Sequence, residues 1–328
     1  MLKPGPRNLI TDVPGLRVGH ATDEAAQTGV TTLLFDAPWV AAVDVRGGGP
    51  GVRETETLAP ENLVTAIHAI VLSGGSVFGL AAADGVVARL SARGVGLKLS
   101  PDGHAIPIVP GAVLHDLSRG DKDWGETPPY RALGLASVEV ATEDFALGSV
   151  GAGRGAMAGH RKGGIGSTSL DLGEGLIVGA LVATNPVGSA TLPGTDVYWA
   201  WPFEIDGEYG GRTPDGPIDA RDPMPEDGRL AGLGRLQPGA NTTLAVVATN
   251  AALSRGEAKR MAIMAQDGIA RAVRPAHMPF DGDLVFALAS GAVALPEDGG
   301  RQRAIARIGS AAADCLARAI ARGVHLAR

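Results

Sequence analysis

Two continuous apolar runs constrain the fold of this chain more than any other feature. Residues 176–184 are apolar and bounded by Gly and Asn-Pro, and residues 242–249 form a second run that is rich in β-branched side chains. Runs of this length between turn signals predict buried strands. Shorter strands are predicted at 30–35, 40–45 and 284–289, and helices at 62–72, 79–90, 304–322 and after the capping box Ser254 to Glu257. Strands with helices outside them predict the fold class α/β, a layered sandwich.

Composition places the chain among globular enzymes rather than nucleic-acid-binding proteins. It has 328 residues, a net charge of -6 and only 4% aromatic residues. A nucleic-acid partner would favour a basic face with aromatic stacking platforms, so none is expected. The length fits one large domain or two smaller ones. Cys315 is the single cysteine, so the chain can form no internal disulfide, and we interpret it as a buried core thiol.

No membrane, metal or cofactor site is expected. The first residues lack the apolar core of a signal peptide, and the apolar runs are too short to span a bilayer, so we expect a cytoplasmic protein. The seven histidines never have the spacing of a zinc pair. The glycines at 151–155 and 163–164 lack the complete dinucleotide-binding and phosphate-loop patterns, and there is no nucleophile elbow of the G-x-S-x-G type.

A candidate nucleophile stands at the start of the second apolar run. The turn-forming Gly239 and Ala240 lead into Asn241 and Thr242. If the Asn241–Thr242 bond breaks by an N-to-O acyl shift, Thr242 becomes an N-terminus whose own α-amine can act as the base for its hydroxyl. On these residues alone, a Thr-Thr pair at the start of a strand is equally explained by ordinary β-propensity.

Seven short motifs in a fixed order make the chain resemble one family. It is similar to the DmpA-type L-aminopeptidase/D-esterase family, which includes β-aminopeptidases and nylon-oligomer hydrolases, and the similarity spans nearly the whole chain. The resemblance implies an N-terminal-nucleophile-like enzyme with the αββα sandwich shared by DmpA and ornithine acetyltransferase. The motifs are ITDVPGLRVGH at 10–20, RGGGPG at 46–51, LSGGSVFGL at 72–80, VGAG at 150–153, TNPVG at 184–188, NTT at 241–243 and DGD at 281–283.

The resemblance assigns roles to residues that are ambiguous by themselves. Asp281 and Asp283 flank a glycine and could form a simple turn, but the resemblance places both carboxylates beside Thr242. Family members with a serine nucleophile carry a serine and a glutamate there, so this chain resembles the threonine branch. Asn185, in an Asn-Pro pair that is often only a turn, is implied to donate its amide to the oxyanion.

Three further assignments concern charge and substrate binding. The family usually has a lysine at the position of His160 and a second one at Lys162, so either residue could supply the positive charge. The loop that contains Gly75 is implied to line the substrate cleft, with Phe78 as a pocket wall; His160 is a further candidate for substrate binding. By itself, a loop of this kind before a helix could instead bind an anion.

The segment 201–239 is rich in Pro, Gly and charged residues and predicts a long exposed loop. It could lead into the cleavage site or be a surface insertion without that role.

The expected function is an autoprocessing N-terminal threonine amidohydrolase, aminopeptidase-like, cut into chains 1–241 and 242–328. Its expected partners are a small peptide or oligoamide substrate and, by resemblance, further copies of itself in a dimer or tetramer. The alternatives are a nylon-oligomer-type endo-amidohydrolase, an acyltransferase of the ornithine acetyltransferase type, and an unprocessed binding protein.

Overall fold

The computed structural model describes residues 2–219, 221–229, 241–297 and 299–328. The strands in these ranges are β1 (Leu16–Asp23), β2 (Thr28–Val45), β3 (Gly51–Arg53), β4 (Ile67–Ser73), β5 (Gly111–Val113), β6 (Met157–Ala158), β7 (Arg161–Lys162), β8 (Ile165–Asp171), β9 (Ile177–Asn185), β10 (Thr242–Ala251) and β11 (Leu284–Val293). The helices are α1 (Ala82–Ala92), α2 (Tyr130–Glu139), α3 (Arg255–Ala272) and α4 (Gly300–Leu326).

The long strand β2 connects two halves of one mixed strand array. Its first part pairs with β1 and β4, and its last part, from Val40, pairs with β11. The full order is β3-β5-β4-β2-β11-β10-β9-β8, with β1 on the free edge of the first part of β2. The register with β4 shifts between Leu34 and Trp39, around Pro38, so the strand changes partners where proline removes a backbone donor.

Three apolar cores separate four layers. One core lies between the two halves of the array and takes Leu33 and Leu72 from one half and Leu244 and Phe286 from the other. A second lies between the β8 to β11 half and helices α3 and α4, and a third between the β2 to β4 half and helices α1 and α2. The predicted αββα sandwich is therefore confirmed.

Alternation along β10 decides where its two threonines lie. Leu244, Val246 and Ala248 belong to the core between the two halves, whereas Ala245 and Val247 belong to the core under α3 and α4. Successive side chains of a strand point to opposite faces. The side chain of Thr242 is therefore on the face between the halves, and that of Thr243 on the helix face.

Most of the predicted elements are confirmed, including both buried strands and the Ser254 capping box, in which the Ser254 hydroxyl accepts the Glu257 N–H. Cys315 is buried, as interpreted. The helix predicted at 62–72 is wrong, because residues 67–73 form β4, which is buried on both faces and so has no polar alternation.

The long loop is confirmed as far as the structure describes it. Residues 201–219 and 221–229 contain only a short 3-10 turn (Trp201–Phe203). Residues 220 and 230–239 of the predicted loop, and Gly239 and Ala240 of the predicted turn, lie outside the described residues. Within the described ranges, no helix is long and apolar enough to cross a membrane.

Candidate active site

Backbone pairing brings the predicted nucleophile next to two of its predicted partners. Thr242 begins β10 and lies directly opposite Asn185, the last residue of β9. Asn241 pairs with Asp281 in an isolated parallel bridge, just before β10 and β11 run side by side. Asn185 ends β9, Thr242 begins β10, and Asp281 and Asp283 come just before β11. The pairing of these buried strands therefore sets the positions of the predicted site residues.

The carbonyl oxygen of Asn241 accepts two hydrogen bonds. The Thr242 hydroxyl donates to it at 2.5 Å, and the backbone N–H of Gly282 donates to it at 2.8 Å. Both residues of the Asn241–Thr242 bond are buried. Within the described part of the chain, neither polar atom of the Asn241 side chain has a hydrogen-bond partner, and buried amide groups left in this state cost about 1–3 kcal/mol.

Asp281 is a buried carboxyl group held by backbone donors. Its two oxygens accept the N–H of Val187 at 3.1 Å and that of Met278 at 3.0 Å. Burial, and next the charge of nearby Asp283, raise the pKa of Asp281 to about 7, against the opposite effect of these N–H groups. A carboxyl group that titrates near neutral pH can both accept and release protons in catalysis.

Asp283 contacts the residue after the predicted nucleophile and a histidine that the sequence did not single out. Its Oδ1 accepts the Thr243 N–H at 2.7 Å, and its Oδ2 lies 2.9 Å from Nδ1 of His277 and accepts the His277 N–H at 3.1 Å. His277 has a left-handed backbone with φ 56°. No spacing in the sequence relates His277 to Thr242, so only the folded loop could reveal it.

The glycine run at 47–49 supports the loop that carries both aspartates. The N–H groups of Gly47 and Gly49 donate to the carbonyls of Asp283 and Asp281 at 3.1 and 2.8 Å. A Cβ on Gly47 would lie 2.3 Å from the nitrogen of Asp283 and 2.4 Å from the oxygen of Asp281. Only glycine permits this approach of two backbones.

Asn185 has partners on both sides of its amide. Its Oδ1 accepts the Met157 N–H at 2.9 Å and Nη1 of Arg229 at 3.3 Å, and its Nδ2 donates to the His115 carbonyl at 3.3 Å. Arg229 is a partly buried cation that sequence reasoning missed. Burial and then Arg119 lower its pKa, while the nearby Asp281 raises it.

Lys162 and His160 lie on the exposed hairpin of β6 and β7. Nζ of Lys162 donates to the Arg328 carbonyl at 2.7 Å, and Nε2 of His160 lies 3.1 Å from the Glu226 carbonyl. His160 also lines a cavity of about 740 Å³. None of the described hydrogen bonds of these two residues reaches Thr242, and the cation that contacts the predicted site is Arg229.

The predicted substrate loop is connected to Asn185 through the two residues that follow β5, Leu114 and His115. The Ser76 N–H donates to the carbonyl of Leu114, whose neighbour His115 accepts the Asn185 amide. Gly75 has a φ of 84° and donates its N–H to Asp116, and Phe78 is 44% exposed and packs edge-on against Trp124. Among the described residues, no group of three or more His, Cys, Asp or Glu could hold a metal ion.

Comparison with known proteins gives one family model and several relatives. The model for peptidase family S58 matches residues 8–328. An uncharacterised aminopeptidase of Mycobacterium tuberculosis (strain H37Rv) is 43% identical over 336 residues, which cover 97% of this chain and 93% of that protein. A 6-aminohexanoate-oligomer endohydrolase of Kocuria sp. is 29% identical, covering 95% and 83%.

A solved structure shows the same fold. It is an L-aminopeptidase D-Ala-esterase/amidase from Ochrobactrum anthropi, described as a variant of the Ntn hydrolase fold. It superposes with a TM-score of 0.71 over 99% of this chain and 88% of that one, at 20% identity.

Proposed function

This chain belongs to peptidase family S58 and is a hydrolase of peptide or amide bonds, and from this premise we propose that it is an N-terminal threonine amidohydrolase that matures by cutting itself between Asn241 and Thr242. The observation that carries the proposal is the 2.5 Å hydrogen bond from the Thr242 hydroxyl to the Asn241 carbonyl. It holds the nucleophile against the peptide group that self-cleavage requires it to attack.

Maturation separates the chain into residues 1–241 and 242–328. The Thr242 oxygen adds to the Asn241 carbonyl carbon, the C–N bond breaks, and water hydrolyses the resulting ester. The product carries a Thr242 α-amine beside the hydroxyl, which gives the enzyme its base. In the uncut chain the nucleophile is buried, so an intermolecular substrate reaches it only after this step.

Four side chains around Thr242 serve hydrolysis in this proposal. Asp283 positions the start of β10 through the Thr243 N–H, and Asp281 exchanges protons near neutral pH. Asn185 donates its amide to the oxyanion of the substrate, and Arg229 supports it with positive charge. The roles of Lys162 and His160, and the substrate contacts of Gly75 and Phe78, stay predictions.

The proposed substrates are short peptides, which the enzyme shortens as an aminopeptidase. The relative at 43% identity is named an aminopeptidase, and this likeness supports the choice over internal cleavage of nylon oligomers, the activity in the name of the 29% identical relative. A cytoplasmic homo-oligomer, a dimer or tetramer, completes the proposal, and light scattering of the purified protein tests its size.

The function is tested with three threonine variants. Thr242→Ala should abolish both self-cleavage and hydrolysis of aminoacyl p-nitroanilides, and Thr242→Ser should retain part of each. Thr243→Ala is the matched control, since its side chain lies on the opposite face of β10, and it should do much less. Equal loss in Thr243→Ala would refute the assignment. Added amine acceptors test for acyl transfer, and 6-aminohexanoate oligomers test for internal cleavage.

A further inference from the structure

The two hydrogen bonds to the Asn241 carbonyl have different fates during self-cleavage. The Thr242 hydroxyl loses its proton when its oxygen bonds to the carbonyl carbon, so it stops being a donor as negative charge develops on the carbonyl oxygen. The backbone N–H of Gly282, at 2.8 Å, cannot lose its proton in this way. It is the described donor that remains on the oxyanion.

The Asn185 amide, although opposite Thr242 in the ladder, is turned to other partners. Nδ2 donates to the His115 carbonyl, and Oδ1 accepts from Met157 and Arg229. None of its described contacts is to Asn241. In the uncut chain, therefore, no described contact brings this amide to the carbonyl group that self-cleavage would attack.

We propose that self-cleavage and substrate hydrolysis use different oxyanion donors: the Gly282 backbone N–H for the first, and the Asn185 amide for the second. This inference rests on the function proposed above. In the step concerned, the Thr242 Oγ1–carbon bond forms, the carbonyl electron pair moves to oxygen beside Gly282, and the carbon–nitrogen bond then breaks. The proton lost by the hydroxyl ends on the Thr242 nitrogen, so the shift is an isomerisation without net proton change.

The local structure explains why glycine stands between the two aspartates. The carbonyl groups of Asp281 and Asp283 accept hydrogen bonds from N–H groups of the glycine run at 47–49. These hydrogen bonds orient the backbone between the two aspartates. A Cβ on Gly282 would lie 2.7 Å from the Thr242 hydroxyl oxygen and 2.9 Å from the Gly49 carbonyl. A side chain here would displace the nucleophile from the carbonyl.

The test removes the Gly282 N–H without adding a side chain; the Asp281 carbonyl, which accepts the Gly49 N–H, becomes an ester carbonyl and a weaker acceptor. Glycolic acid replaces Gly282 by nonsense suppression in cell-free translation, which exchanges the amide for an ester. Self-cleavage is followed over time on denaturing gels. Loss of one oxyanion donor slows a reaction about 10²- to 10³-fold, and we expect that loss here. The matched control is glycolic acid at Gly148, whose N–H donates to the Ile165 carbonyl at 2.7 Å; it should cleave at the normal rate.

Asn185→Ala provides the second arm. It should cleave itself at close to the wild-type rate, while the mature enzyme loses about 10²- to 10³-fold in kcat. Normal cleavage in the Gly282 ester, or blocked cleavage in a folded Asn185→Ala chain, would overturn the inference. Circular dichroism verifies folding; if the ester chain is unfolded, the Asn185→Ala arm still decides whether the two reactions share the Asn185 amide as donor. Failure of the proposed function would give a different result from failure of this inference. In that case the wild-type chain stays uncut, or the Thr242→Ala chain is cut.

Discussion

At the scale of single residues, the proposed site combines the proposed nucleophile Thr242 with a buried carboxyl group, Asp281, of raised pKa. Asp281 has both oxygens occupied by backbone N–H groups and no described cation in hydrogen-bond contact. Burial then dominates and raises its pKa to about 7. The group therefore keeps its proton in the folded chain at pH values where the unfolded chain, with a pKa of about 3.9, has lost it.

This difference predicts how the uncut chain responds to pH. Between about pH 4 and pH 7 the folded state binds the extra proton, so the contribution of Asp281 to the free energy of unfolding falls as pH rises. In a Thr242→Ala background, urea unfolding at several pH values should show this decline, and adding Asp281→Asn should flatten it. Equal slopes with and without Asp281→Asn would contradict the raised pKa.

A second prediction at this scale concerns Asp283 in the mature enzyme. Asp283→Asn removes a negative charge close to the start of β10, so the Thr242 ammonium loses attraction and its pKa should fall. Turnover should decrease, and the rising limb of the pH–rate profile should move to lower pH. Asp36→Asn, at an exposed carboxylate paired with Arg17, is the control. Unchanged turnover and an unchanged profile would place Asp283 outside the site.

At the scale of elements, the proposed site depends on three segments that meet: the C-terminal end of β9, the N-terminal end of β10 and the loop just before β11. The glycine run at 47–49 follows β2, which pairs with β11, so the same register that aligns these strands brings the run against residues 281–283. The backbone of the glycine run thus supports the loop at 281–283, and a side chain at position 47 would not fit at this contact.

Gly47→Ala should therefore disrupt the site more than an ordinary glycine substitution. The new Cβ would meet the backbone of Asp281 and Asp283 at 2.4 and 2.3 Å, so the loop must move away from Asn241. We expect slow self-cleavage and a lower unfolding temperature. Gly256→Ala in α3, where a Cβ meets nothing within 4 Å, is the matched control and should be neutral or slightly stabilising. Equal behaviour of the two variants would refute the role of the glycine run.

Sequence patterns predicted most strands because their apolar runs are bounded by turn residues, as at residues 177–185. The apolar pattern gave a wrong prediction, a helix, at residues that form β4. A short strand with both faces buried shows no polar alternation, so its sequence resembles that of a buried helix. For the proposed site, the family resemblance carried by the motifs implied Thr242, Asn185 and the aspartates. Arg229, His277 and the Gly282 N–H could not be predicted, because their places depend on how distant loops meet.

At the scale of the whole molecule, a cut after Asn241 leaves both fragments in one strand array. β10 lies between β9 of the first fragment and β11 of the second, and α4 packs on β8 and β9. Buried Arg318 of α4 also contacts Glu208 at 2.6 Å and the Asn8 side chain at 3.0 Å. Apolar packing and this ion pair both connect the fragments, so they should co-elute after cleavage.

Glu208→Gln should weaken that association. Removing one partner of a buried ion pair typically costs about 3–5 kcal/mol, because the other charge stays buried without compensation. The urea midpoint of the processed protein should fall clearly. Asp36→Asn breaks an exposed pair, which contributes about 0–1 kcal/mol, and should leave the midpoint nearly unchanged. A midpoint that is equally insensitive to both substitutions would show that Arg318 does not connect the fragments.

The most direct test of self-cleavage at Asn241–Thr242 is the intact mass of the purified protein combined with N-terminal sequencing under denaturing conditions. We predict two chains, residues 1–241 and residues 242–328, and a new N-terminus that reads Thr-Thr-Leu-Ala from Thr242. The Thr242→Ala protein should give one mass for the whole chain. An active enzyme that remains a single chain, or whose new N-terminus begins at another residue, would contradict the account.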